Sequence, residues 1–94
     1  MTRTRKPIDP ETSIAMREAF YEAVDSGGLT IAEGVKRMRE IVNMTQPEFA
    51  YWLKIAPRAL MDIERGVGNP RLSTLLKIAK PFNLKIGFIH KPKA

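Results

Sequence analysis

Two short words constrain this chain more than anything else in it. Thr30-Ile31-Ala32-Glu33 and Thr45-Gln46-Pro47-Glu48 each place a glutamate three positions after a hydroxyl residue. At that spacing the hydroxyl oxygen accepts from the glutamate's amide, and the carboxylate reaches back to the amide of the hydroxyl residue. Each word therefore opens a helix. In the first of these helices Val35, Met38 and Val42 sit one above the other on the buried face, and Asn43 tolerates the left-handed turn that ends it. The second helix runs about two turns, with Pro47 early in it and Phe49, Ala50 and Leu53 facing inward.

The same reasoning extends in both directions. Upstream, Asp9 can cap, Pro10 has its φ preset for a first helical position, and Glu11 suits the positive end of a helix dipole. The spacing of Met16, Ala19, Phe20, Ala23 and Val24 predicts a helix from Pro10 to about Ser26, closed by Gly27-Gly28. Downstream, Ala56-Pro57 restarts the chain as a short helix with Leu60 and Ile63 inward and Gly66 at its end. A loop to Pro70 follows. Leu72, Leu75, Leu76, Ile78 and Ala79 form the densest apolar cluster, which predicts a last helix that is nearly all buried and is stopped or bent by Pro81. After Asn83 the pattern changes to a period of two, with Leu84, Ile86 and Phe88 alternating with Lys85, Gly87 and Ile89. That pattern predicts a strand from Leu84 to His90.

Composition narrows the function. A chain of 94 residues has room for one modest core, so a two-domain enzyme is not expected. Its net charge of +6 favours polyanionic partners, either nucleic acid or an anionic membrane surface. No apolar run approaches the roughly 20 residues of a bilayer span, and the basic N-terminus has no apolar stretch behind it, so a soluble, intracellular protein is expected. The absence of cysteine removes disulfides, thiolate catalysis and Cys-based zinc sites, and His90, the single histidine, cannot by itself build a metal site or a Ser-His-Asp relay. No enzyme, metal or cofactor is expected. Met1 to Ile8, with Arg3, Arg5 and Lys6, reads as a basic arm that is either a solvated tail or a DNA contact.

The order of short helices, with Thr45-Gln46, Phe49-Ala50, Leu53, Ile63-Glu64-Arg65-Gly66, Asn69-Pro70 and Leu75-Leu76-Lys77-Ile78-Ala79, resembles the repressor/Cro (XRE) helix-turn-helix family from Val35 to Phe82. The resemblance implies a mainly α fold: a five-helix domain with an extra N-terminal helix. It also implies that the helix from Pro57 to Arg65 enters a DNA major groove while the start of the Thr45 helix sits against phosphates. Thr45 and Gln46 would then face the backbone, with a plain early-helix polar residue as the lesser alternative for Gln46. Pro57, Arg58, Met61, Asp62 and Arg65 would face the groove. Arg58 can pair bidentately with guanine or grip a phosphate. Arg71 matches a position that touches the DNA backbone or minor groove. Arg39 and Glu64 match a pair that ties the recognition helix to the scaffold.

The sequence also departs from the family pattern. Lys54 replaces the usual turn glycine, Ala56 the usual Ser/Thr cap, and Asp62 puts a negative charge in the reading face, where it can accept from cytosine N4 or repel the backbone. Tyr51-Trp52 replace charged residues; they are read as packing under the N-terminal helix, with a partner patch as the alternative.

The C-terminal strand resembles that of HipB-like antitoxins, which pairs with its copy in a second subunit. By this reading Leu84, Ile86 and Phe88 turn onto the helices at a homodimer interface, because a lone strand needs backbone partners. The expected organisation is a basic arm and helix over 1–29, a DNA-binding domain over 30–83 and a dimerisation strand and tail over 84–94. The function implied is a cytoplasmic, nucleoid-associated transcriptional regulator that binds double-stranded DNA at a palindromic operator and represses. A toxin partner is one option, and neighbouring genes decide it. The alternative class is a non-specific basic interaction or membrane-surface protein, against which the ordered helix-turn-helix words argue.

Overall fold

Asp9 begins the first helix by accepting from the Thr12 amide at 2.9 Å. Thr12 Oγ1 donates to the same carboxylate, and these two bonds hold the Asp9 carboxyl below its usual pKa. The computed structural model describes residues 7–90. Among them it places α1 (Pro10–Asp25), α2 (Ile31–Ile41), α3 (Gln46–Leu53), α4 (Pro57–Arg65) and α5 (Leu72–Ala79), with a 3-10 turn at Lys80–Phe82. Both capping boxes close in full at Thr30 and Thr45. Arg3, Arg5 and Lys6 of the expected basic arm lie outside the described residues, as do the last four residues of the expected tail.

The helices meet on one core. Phe20, Phe49, Leu60 and Ile78 are its largest fully buried side chains, contributed by α1, α3, α4 and α5 in turn. Phe82 sits at its centre, edge-on to Phe20 and Phe49 with ring centroids 6.2 and 6.4 Å apart. Tyr21 donates from its hydroxyl to the Phe82 carbonyl at 2.7 Å. The first helix is thereby tied to the end of the fold by both packing and a hydrogen bond. Phe20 is wholly enclosed, and burial of such a ring contributes roughly 1.5 to 3 kcal/mol.

Three expectations are corrected. The last helix is only half buried: Ile78 and Ala79 are enclosed, but Leu72 and Leu76 lie exposed, one turn apart on the outer stripe. An apolar cluster specifies a helix without saying that anything covers its far side. No strand forms among the described residues, and Leu84 to His90 runs without regular structure, because the helices offer no backbone ladder. The twofold alternation also slips. Leu84 is half buried and Ile86 lines a groove over α1, α2 and α5, but Phe88 points fully into solvent. Ile89 is also largely exposed, at 73%, and edges the same groove with its Cδ1 3.5 Å from where a Cβ on Gly27 would stand, an ordinary contact distance.

Candidate nucleic-acid interface

Between α3 and α4 the chain turns through three residues. Lys54 adopts the left-handed conformation (φ 61°, ψ 45°), and its amide bonds back to the last turn of α3. A non-glycine residue there carries a steric cost of about 1 to 2 kcal/mol, which the surrounding packing must offset. Ile55 donates to the Ala50 carbonyl at 3.0 Å, closing the turn. Ala50 is fully buried where a larger side chain would force the two helices apart. Pro57 then starts α4, whose preceding Ala56 supplies no side-chain cap.

The fourth helix has two distinct sides. Leu60, Ile63 and Glu64 point into the protein. Pro57, Arg58, Met61, Asp62 and Arg65 repeat at helical spacing on the opposite side; all are exposed except Asp62, which is partly so. A buried carboxylate fixes the inner side. Glu64 has 2% of its side chain exposed and receives Arg39 Nε at 2.8 Å and Arg39 Nη2 at 3.0 Å. Arg39 Nη1 donates to the Met44 carbonyl at 3.1 Å. The fork to Glu64 raises the pKa of Arg39 above its ordinary value, against the opposing effect of burial. Among the described residues no buried side-chain polar atom lacks a partner.

Gln46 joins this network, its Nε2 donating to Glu64 Oε1 at 3.2 Å. One N–H of that amide is therefore committed inward. Thr45 is occupied in its capping box, accepting from the Glu48 amide at 3.3 Å and donating from its own amide to Glu48 Oε1 at 2.8 Å. The outer side of α4 carries one ion pair, Arg58 Nε to Asp62 Oδ1 at 3.5 Å.

Residues 35–89 match the Helix-turn-helix family. The chain belongs to this family, in its repressor and Cro (XRE) form. It is 38% identical over 52 residues to an uncharacterized HTH-type transcriptional regulator of Archaeoglobus fulgidus, an alignment covering 55% of this chain and 73% of the relative. No solved structure matches the chain.

In this helix-turn-helix domain, a cleft of about 420 Å³ separates the α3–α4 turn from α5 and gathers three cations, Lys54, Arg71 and Lys77, with the carboxylate of Asp62 among them. Lys77 Nζ donates to the Lys54 carbonyl at 3.4 Å. Arg71 stands at the N-cap of α5, where no side chain caps the first amides. Sequence reasoning singled out Lys54 as an irregular turn residue and Arg71 as a backbone contact, but missed Lys77. Only the swing of α5 toward the turn brings Lys77 to the cleft, and no spacing rule reports that.

The aromatic pair of α3 is also corrected. Trp52 lies over Phe49 with centroids 6.0 Å apart and edge-on to Phe82, while Tyr51 is 88% exposed. Tyr51 is therefore not packed under α1, because it projects from the side of α3 opposite to buried Phe49 and Leu53. Among the described residues no helix is long and apolar enough to cross a membrane.

Proposed function

We propose that this chain is a sequence-specific, DNA-binding transcriptional regulator that lays the outer side of α4 in a major groove. Pro57, Arg58, Met61, Asp62 and Arg65 face base edges, while Thr45, the second N–H of Gln46 and Arg71 face phosphates, with Lys54 and Lys77 beside them. One observation carries the reading: α4 is locked from behind by Glu64, Leu60 and Ile63, yet Pro57, Arg58, Met61 and Arg65 on its outer side lie exposed. Membership of the helix-turn-helix family and the regulator name of the archaeal relative support it. The protein acts in the cytoplasm on the nucleoid, and it represses by occupying its site.

A homodimer fits this role, with its two recognition helices about 34 Å apart on a palindromic operator. Exposed Leu72, Leu76 and Phe88, with the unladdered backbone from Leu84 to His90, supply apolar and hydrogen-bonding surface for a second copy. Ending the chain at Asn83 is expected to abolish the dimer by light scattering and weaken operator binding while helicity stays. A truncated protein that is still dimeric would move the interface elsewhere.

Selection of duplexes from a random-sequence pool tests the function itself. The expected product is a palindromic motif with half-sites one helical turn apart. Enrichment of no motif, with equal binding to anionic vesicles, would favour the basic surface-binding class instead. A second reading adds a protein partner, such as a toxin, at the exposed Tyr51 and half-exposed Trp52. Co-purification with the product of a neighbouring gene, lost on Tyr51→Ala, is its expected sign.

A further inference from the structure

The outer ion pair on α4 explains why a reading face would carry a negative charge. Asp62 stands one turn after Arg58, and its Oδ1 lies 3.5 Å from Arg58 Nε. Nε is the inner nitrogen of the guanidinium, so a partner there does not use the two terminal nitrogens, which remain available as a fork. That is the donor pair a guanine takes through O6 and N7. Asp62 is itself confined. Its side chain is only 33% exposed, and the Gly66–Pro70 loop closes on its other side: a Cβ at Gly68 would stand 3.8 Å from Asp62 Cβ and 3.9 Å from Oδ2. Arg58 is 80% exposed, a long side chain that meets Asp62 at 3.5 Å. Left to itself it would lose rotamer freedom on binding, and that loss lowers discrimination.

We propose that Asp62 is a positioning residue for base recognition: it holds Arg58 by Nε so that the two terminal nitrogens present a bidentate fork to a guanine. The inference rests on the proposed DNA-reading role of α4 and deepens it. Asp62 weakens general attraction to the DNA backbone and returns base preference, trading affinity for specificity.

The test uses the full chain and the duplex it selects from a random pool, with that duplex's guanine replaced by adenine, and random duplex as the third probe. Asp62→Asn is expected to bind random duplex more tightly and to lose about tenfold in guanine preference, within the range a bidentate pair supplies. Asp62→Glu, which can still reach Nε, should restore most of that preference. In an Arg58→Ala background, Asp62→Asn should leave the preference unchanged, because there is no fork left to hold. If Asp62→Asn strengthens binding to all three duplexes equally, Asp62 only repels the backbone and the proposal is overturned. It is also overturned if the lost preference is for a cytosine and persists without Arg58, since Asp62 then reads that base itself. A wild-type protein that selects no duplex defeats the DNA-reading role instead, an outcome distinct from both.

Discussion

Two arginine–carboxylate pairs lie on opposite sides of α4 and share almost nothing but their chemistry. On the inner side Arg39 grips Glu64 with two nitrogens at 2.8 and 3.0 Å, with Gln46 as a third donor and the carboxylate shut away from water. On the outer side Arg58 meets Asp62 through one contact at 3.5 Å, largely in solvent. Burial decides what each pair can do. The inner one cannot open without stranding a charge in the core, so it holds the helix in place. The outer one adds little to stability and engages Arg58 at Nε, which leaves the terminal donors for a ligand.

The largest effect expected from this contrast is on stability. Glu64→Ala leaves the Arg39 guanidinium and the Gln46 amide without their acceptor, and a loss of about 3 to 5 kcal/mol is expected in chemical denaturation. Such a loss is a large share of what a small domain has. A variant as stable as the parent would mean that Glu64 does not hold α4. Next in size, Arg58→Ala is expected to cost about 1 to 3 kcal/mol in binding the selected duplex and to relax preference at one base position, with the melting temperature unchanged. Equal losses on selected and random DNA would make Arg58 a phosphate contact.

Double-mutant cycles sharpen the comparison. In the stability of the free protein, Arg39 with Glu64 should show a coupling of roughly 0.5 to 3 kcal/mol, whereas Arg58 with Asp62 should couple by about 1 kcal/mol or less, and less still in high salt. The reverse order would undo the distinction between the two sides.

The smallest effect is acidic. Hydrogen bonds from Thr30's amide and hydroxyl hold the Glu33 carboxyl below its usual pKa, as those from Thr12 do for Asp9. A carboxylate lowered in the folded state stabilises at pH values above its unfolded pKa, and that contribution fades as pH falls through the lowered one. Helicity of α1 and α2 should therefore fray only below about pH 4, and Glu33→Gln should flatten that part of the titration.

Much of this architecture was legible from local rules. The two capping boxes, Pro10, Pro57 and Gly66 each act within one turn of themselves, so helix starts and ends followed from neighbours alone. Arg39 and Glu64 were legible as a pair only through the family resemblance, since no local rule joins residues on different helices. What escaped was long-range. That Gln46 turns inward to Glu64, that Lys77 reaches the cleft beside Lys54, and that Phe88 stands free of the helices all depend on how helices are set against one another. The cluster from Leu72 to Ala79 misled for a related reason: hydrophobicity reports what a residue avoids, and in this chain water still reaches Leu72 and Leu76.

The central claim is that the outer side of α4 is the DNA-reading surface, and amide chemical-shift mapping during titration with the selected duplex tests it most directly. The account predicts the largest changes at Arg58, Met61, Asp62 and Arg65, smaller ones at Gln46, Arg71 and Lys77, and little change at Arg39 or Leu60. Changes centred instead on Tyr51, Trp52 or the segment from Leu84 to Ile89, with α4 silent, would contradict it.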